Sequence, residues 1–115
     1  MTDCLFCRIV AGEIPAAIVK RSDAALAFRD IDAKAPVHVL VIPAKHVAAV
    51  RDAKGADGER LLGRLLAFAA EIAAEQGLDR DGYRIVTNTG KNAGQSVDHL
   101  HLHLLGGRKL SWPPG

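Results

Sequence analysis

The apolar positions of this chain are grouped in short runs whose periodicity changes from run to run. Across residues 4–11, Leu5, Phe6, Ile9 and Val10 recur at helical spacing and Gly12 follows, which predicts a short helix. Residues 17–21 and 24–29 read as two strands around Ser22 and Asp23, a hairpin without a strong turn signature. Residues 37–42 are apolar and β-branched, and Pro36 and Pro43 bracket them as a third strand. The longest periodic stretch runs from Asp57, whose carboxylate suits an N-cap, to Gln76. It puts Leu61, Leu65, Phe68, Ala69 and Ile72 on one face, with Gly77 placed to end it. Residues 83–87 read as a fourth strand, 89–96 as a glycine-bearing loop and 99–105 as a fifth strand of strict alternation. Four of the five strands need no crossover helix, so the expected class is α+β, an antiparallel sheet with one long helix on a face and one short helix.

Composition narrows the setting. A chain of 115 residues with 49% hydrophobic and 24% charged residues has room for a single domain over residues 1–115 with one core. The formal net charge is +2, and no window gathers five or six like charges, which argues against a nucleic-acid partner. No apolar run approaches the ~18 residues of a membrane span, and the stretch Met1-Thr2-Asp3-Cys4 lacks a basic leader, so no membrane partner and a cytoplasmic location are expected. Cys4 and Cys7 are too few for a disulfide framework. Their two-residue gap is that of a metal knuckle or a redox pair, and by itself it is half a site.

The histidines carry more. In Asp98-His99-Leu100-His101-Leu102-His103-Leu104 a period of two sends the three histidines to one face and the leucines to the core. At about 3.3 Å per residue the outer two stand roughly 13 Å apart, too far to ligate one metal together. Adjacent members could share a metal, or the row could divide the work of nucleophile, proton donor and phosphate contact. Upstream, Asn88 to Ser96 carries Gly90 and Gly94, which let backbone N–H groups converge on an anion, although such a loop also occurs as a plain surface turn. His38 lies between Val37 and Val39, so alternation opposes it to the valines; a satisfied core histidine is the simpler reading. Asp30 has an equally simple one as a turn residue at a strand end.

The run from Gly94-Gln95-Ser96 through His99-Leu100-His101-Leu102-His103-Leu104 resembles the histidine-triad signature of the HIT superfamily. Gly-Gln-Ser and the tail from Gly106-Gly107-Arg108 to Trp112-Pro113-Pro114-Gly115 are similar to its HINT branch, the histidine-triad nucleotide-binding proteins, and the likeness extends back to Cys4-Leu5-Phe6-Cys7. It implies a HIT-like fold, a homodimer whose sheets join into one, and binding of purine nucleoside monophosphates with hydrolysis of their phosphoramidates. His101 would be the nucleophile of a nucleotidyl-histidine intermediate, His103 and His38 would flank the phosphate, and Ser96 would bond the phosphate or the leaving nitrogen. Asn88, Gly94 and Gln95 match phosphate-side positions, Asp30 matches the ribose carboxylate, and Phe6, Ile9, Phe28 and Ile31 match the apolar walls around the base. Asp98 stands where relatives often carry an aromatic residue, and Arg29 where a His can stand.

That chemistry is coherent in itself. A neutral imidazole attacks phosphorus well near pH 7, and an amine leaves only if a proton reaches its nitrogen, so a second histidine or a hydroxyl relay must stand nearby. No catalytic metal is required on this reading. Relatives bearing the CxxC resemble structural zinc sites, which implies a Cys₂His₂ set of Cys4, Cys7, His46 and His99; two reduced thiols are the alternative. Alternation aims His99 at the catalytic face, so such an ion would have to sit near the start of that strand. The resemblance also implies that Trp112 in the tail reaches the partner's site rather than packing on its own subunit. The rival functions are hydrolysis of dinucleoside polyphosphates or nucleotidyl transfer, as in other HIT branches, and a zinc-stabilised nucleotide-binding scaffold with little turnover.

Overall fold

The computed structural model describes residues 3–115; Met1 and Thr2, part of the N-terminal stretch read above, lie outside the described residues. The helices are α1 (Leu5–Val10) and α2 (Gly55–Glu75), and the strands are β1 (Ile18–Arg21), β2 (Ala25–Arg29), β3 (Val37–Pro43), β4 (Tyr83–Val86) and β5 (Leu102–Gly106). Every pairing is antiparallel, in the order β1-β2-β3-β5-β4. The α+β class, the five strands and the long and short helices match the expectation, and among the described residues no helix is long and apolar enough to cross a membrane.

Pairing register decides which side chains share a face. Val39 pairs with Leu104, Val41 with Leu102 and Ala27 with Val41, and these residues form the main core beneath α2 with Leu65, Phe68, Ala69, Ile72 and Ala73. The opposite face carries Leu26 and Phe28 of β2, His38, Leu40 and Ile42 of β3, His103 and Leu105 of β5, and Arg84 and Val86 of β4. Helix α1 covers only part of it, packing Phe6 and Ile9 on Leu26, Phe28, Leu40 and Ile42. The stretch from His38 to Arg84 is left without a roof.

Two boundaries differ from expectation by more than one residue, for physical reasons. Helix α2 begins at Gly55, with Lys54 in the N-cap position and no side-chain cap, so Asp57 lies inside the first turn. There its carboxylate faces the positive end of the helix dipole and pairs with Arg60 at 2.9 Å. The final strand begins at Leu102, not His99. The Leu100 N–H instead donates to Val47 O at 2.6 Å, and the His101 carbonyl accepts from the Thr87 hydroxyl at 2.9 Å, so these backbone groups are satisfied outside the ladder. The leucine alternation survives, and Leu100, Leu102 and Leu104 are all buried.

Gly58 shows how closely the start of α2 packs. A Cβ there would overlap the carbonyl carbon and oxygen of Ala53, both backbone atoms that cannot swing aside. Helix propensity alone favours Ala over Gly by about 1 kcal/mol, yet here overpacking reverses the sign. Gly58→Ala is expected to destabilise the chain by about 1–3 kcal/mol, read as a lower urea midpoint at constant m. An unchanged or raised midpoint would show that the helix start is free to move.

Candidate functional site

The unroofed part of the sheet forms a groove of about 670 Å³. His38, His103 and Arg84 lie on its floor, Asp30 and Lys34 come from the turn after β2, Asn88 and Ser96 from the loop after β4, and Leu110, Ser111 and Pro114 from the tail. His38 and His103 are diagonal neighbours, because His38 pairs with Leu105 while His103 pairs with Leu40. Their rings meet with His38 Nε2 and His103 Nδ1 2.9 Å apart. His101 stands behind His103 at a centroid separation of 5.1 Å and is 4% exposed.

Backbone partners set the tautomer of each ring, since a neutral imidazole donates from one nitrogen and accepts at the other. His38 Nδ1 accepts from the Lys34 N–H at 3.0 Å, so its proton sits on Nε2, which donates to His103 Nδ1. His103 is thereby left with its own proton on Nε2. The Nδ1–H of His101 donates to the His99 carbonyl at 2.7 Å, which leaves the Nε2 lone pair unprotonated. Asp30 Oδ2 lies 3.3 Å from His38 Nε2, while Oδ1 accepts from the Asp32 N–H at 2.9 Å in an Asx turn. An unprotonated nitrogen and an N–H donor thus lie on neighbouring rings, the pairing that attack on phosphorus requires.

Burial pushes the proton affinity of His38 and His103 below the ordinary imidazole value, against the opposing pull of Asp30. Because the folded rings hold protons more weakly than unfolded ones, their contribution to stability is complete above about pH 6.5 and is lost as pH falls through and below it. The urea midpoint should hold above about pH 6.5 and drop as pH falls below it, and doubly substituting His38→Gln and His103→Gln should flatten that slope. With chelator present throughout, an identical slope in the variant would assign the effect elsewhere.

A second cluster lies across α1. Cys4 Sγ is 3.3 Å from His99 Nδ1, Cys7 Sγ is 3.3 Å from His46 Nδ1 and 3.5 Å from His99 Nδ1, and the two Nδ1 atoms are 3.2 Å apart. All four donor atoms lie within 4.8 Å of one another, a possible metal site. His99 Nε2–H donates to Pro43 O at 2.9 Å, which fixes the tautomer and turns the Nδ1 lone pair toward the sulfurs. Burial lowers the proton affinity of His99, which favours the neutral form a ligand needs, and pushes the Cys7 thiol up, so that a bound cation would be needed to favour its thiolate. Asp30, His38 and His103 also converge within 4.8 Å, but there the Lys34 N–H forces the proton of neutral His38 onto the nitrogen that a metal would need. That cluster is wired to hold a proton.

The structure therefore brings together each of the two constellations read from the sequence, with three adjustments. His99 leaves the row that alternation predicted, since it precedes β5 and turns to the cysteines, and the Phe6 ring lies edge-on between it and His101 at 5.9 and 5.2 Å. Phe6, Ile9 and Phe28 form a buried apolar block beside the groove, whereas Ile31 is fully exposed because the Asx turn directs it to solvent. The Gln95 amide is spent on backbone partners: Oε1 accepts from the Gly90 N–H at 2.9 Å within the loop, and Nε2 donates to Val97 O at 3.0 Å and, across to the segment after β3, to Ala48 O at 2.7 Å. Gly94, in the left-handed region at φ 77°, allows that closure. Lys34, Arg84 and Arg108, which also line the groove, were not singled out from the sequence. Alternation in β4 places Arg84 on the face of His103, a signal within reach of the strand pattern. Trp112 keeps 80% of its surface exposed, with the Arg84 guanidinium 5.8 Å from its ring centre.

An antiparallel α+β sheet bearing a row of backbone-oriented imidazoles beside an open groove defines the chain as a histidine-triad protein. Residues 11–110 match the HIT domain, and the chain belongs to that family. It is 53% identical over 113 residues to an uncharacterized HIT-like protein of Synechococcus elongatus, covering 98% of this chain and 97% of that one. It is 46% identical over 106 residues to the purine nucleoside phosphoramidase of Escherichia coli, covering 92% and 88%. Among solved structures it is similar to a HIT family hydrolase from Legionella pneumophila, with a TM-score of 0.94 at 50% identity, covering 98% of this chain and 100% of that one.

Proposed function

We propose that this protein hydrolyses purine nucleoside 5'-phosphoramidates, with adenosine phosphoramidate as the representative substrate, through a nucleotidyl-histidine intermediate on His101. The observation that carries the reading is the pair of fixed tautomers, an unprotonated Nε2 on His101 beside an N–H-bearing His103. His101 Nε2 attacks phosphorus while His103 Nε2–H donates to a phosphoryl oxygen and compensates charge developing there. The P–N bond pair departs with nitrogen, which takes up a proton passed from water by the Ser96 hydroxyl, and a neutral amine leaves. Water then attacks the nucleotidyl-histidine, gives its proton back to solvent, and the bond pair returns to His101 Nε2 as the nucleoside monophosphate leaves. On this reading Asp30 meets the ribose hydroxyls, and Asn88 and Gly94 flank the phosphate. The kinship with a purine nucleoside phosphoramidase supports this substrate class.

The same reading includes structural zinc on Cys4, Cys7, His46 and His99. Tetrahedral zinc, with bonds of about 2.3 Å to sulfur and 2.0 Å to nitrogen, sets edges of about 3.3 Å between nitrogens and about 3.5 Å between nitrogen and sulfur. The donor separations of 3.2 Å and 3.3–3.5 Å match them. When bound, the ion would tie α1 to the segment ahead of β5. It further includes a cytoplasmic homodimer joined by its sheets; an indole left 80% exposed on the tail is a feature that a second copy would cover.

The test is a competition among substrates. Purified protein should turn over adenosine 5'-phosphoramidate with a higher kcat/KM than a diadenosine polyphosphate. The reverse order would place the chain with the polyphosphate hydrolases, and AMP binding without turnover of either would make it a nucleotide-binding scaffold.

A further inference from the structure

Arg108 is exposed, yet each of its three guanidinium nitrogens donates to a backbone carbonyl. Nε and Nη2 both donate to the Lys34 carbonyl, at 3.1 and 2.8 Å, and Nη1 donates to Lys109 O at 2.9 Å. This double grip ties the segment after β5 to the turn between β2 and β3, just beyond the Val37–Gly106 pair. Gly107 makes it possible, for at φ 91° it lets the chain pass so close to Pro36 that a Cβ would lie 2.8 Å from the proline ring. The Lys34 residue held in this way is the one whose N–H donates to His38 Nδ1.

The geometry assigns Arg108 as a positioning residue: by fixing the Lys34 backbone it fixes the tautomer of His38, and so the proton that His103 presents to the groove. The chain of contacts is continuous, from guanidinium to Lys34 carbonyl, from Lys34 N–H to His38 Nδ1, and from His38 Nε2–H to His103 Nδ1. Without the grip, the turn keeps its Asx bond and the exposed Lys34–Asp32 ion pair, neither of which aims the Lys34 N–H at an imidazole. His38 can then place its proton on Nδ1 in part of the population, against the pull of Asp30 Oδ2 3.3 Å from Nε2, and accept at Nε2 from His103, whose remaining nitrogen would face the substrate as a bare acceptor. An acceptor there repels the phosphoryl oxygens.

Long-range ¹H–¹⁵N spectra of the imidazoles in full-length protein read the tautomers directly, without substrate. Wild type should show both His38 and His103 protonated at Nε2. In Arg108→Ala, and in Arg108→Lys, which keeps the charge but cannot fork, His38 should become a mixture of tautomers. The kcat on adenosine phosphoramidate should fall by about tenfold, at the lower end of what an outer partner of a functional imidazole contributes, with KM little changed. Arg84→Ala, which removes a groove-floor cation and its contacts with Ser111 O and the Trp112 ring but no bond to Lys34 or His38, should leave the tautomers as they are. Wild-type His38 protonated at Nδ1, or an Arg108→Ala protein with unaltered imidazole spectra, overturns the assignment. The kinetic arm rests on the proposed hydrolase activity; spectra that shift as expected in a protein without turnover would instead count against that activity.

Discussion

His101→Ala is expected to lower kcat for adenosine phosphoramidate by about 10⁴-fold or more, the scale seen when a nucleophile is removed from a preorganised site. AMP binding should stay within about tenfold, because the contacts that hold ground-state phosphate and sugar lie on other residues. The Nε2 lone pair of His101 is the only feature the substitution removes from the bond-making step, and its Nδ1–H partner, the His99 carbonyl, belongs to the backbone. Acid quenching of wild type during turnover should trap a nucleotidylated peptide containing His101, visible by mass spectrometry, and the variant should yield none. Near-native turnover by His101→Ala would reassign the nucleophile.

Metal removal should produce the other large effect. Protein prepared without chelator should contain one zinc per chain, bound by Cys4, Cys7, His46 and His99. An ion present at a thousandfold excess over its Kd stabilises a fold by about 4 kcal/mol, which in a chain of this size corresponds to roughly 15 °C in Tm. Chelation, or Cys4→Ser, should therefore lower Tm on that scale while leaving the sheet assembled, since the core beneath α2 includes none of the four ligands. Absence of zinc on metal analysis, together with an unchanged Tm for Cys4→Ser, would remove the metal from this account.

Features of the chain that depend on one face being buried were legible in sequence. Leu100, Leu102 and Leu104 alternate because a core lies on one side of them, and all three are buried there. The same alternation misplaces His99, because hydrogen bonds to the Val47 carbonyl and from the Thr87 hydroxyl and the His101 ring take over the backbone between His99 and His101 before the ladder starts. No local pattern encodes partners so distant. Asp57 illustrates a second limit: a good capping residue three positions too late is an equally good first-turn anion, and the Ala53–Gly58 contact decides the start of the helix instead. Arg108 illustrates a third, for its partner Lys34 is 74 residues away and the contact is to a carbonyl, which carries no mark of residue type. The histidines were conspicuous as residues, but their protons were not, since a tautomer follows from a neighbour that only folding supplies.

The partial cover on the catalytic face can also be seen as a matter of widths. Five strands at about 4.8 Å spacing make a sheet roughly 19 Å across, whereas a helix with its side chains is about 10–12 Å in diameter. Helix α2 is long enough to span its face obliquely, but the six-residue α1 seals little more than the two strands under it, β2 and β3. The site occupies the place of a missing second helix. On the proposed function, the chain would need no lid and no hinge to admit a nucleotide, and the bulk of the group carried on phosphorus would be limited mainly by the tail that Arg84 and Arg108 hold along the open edge.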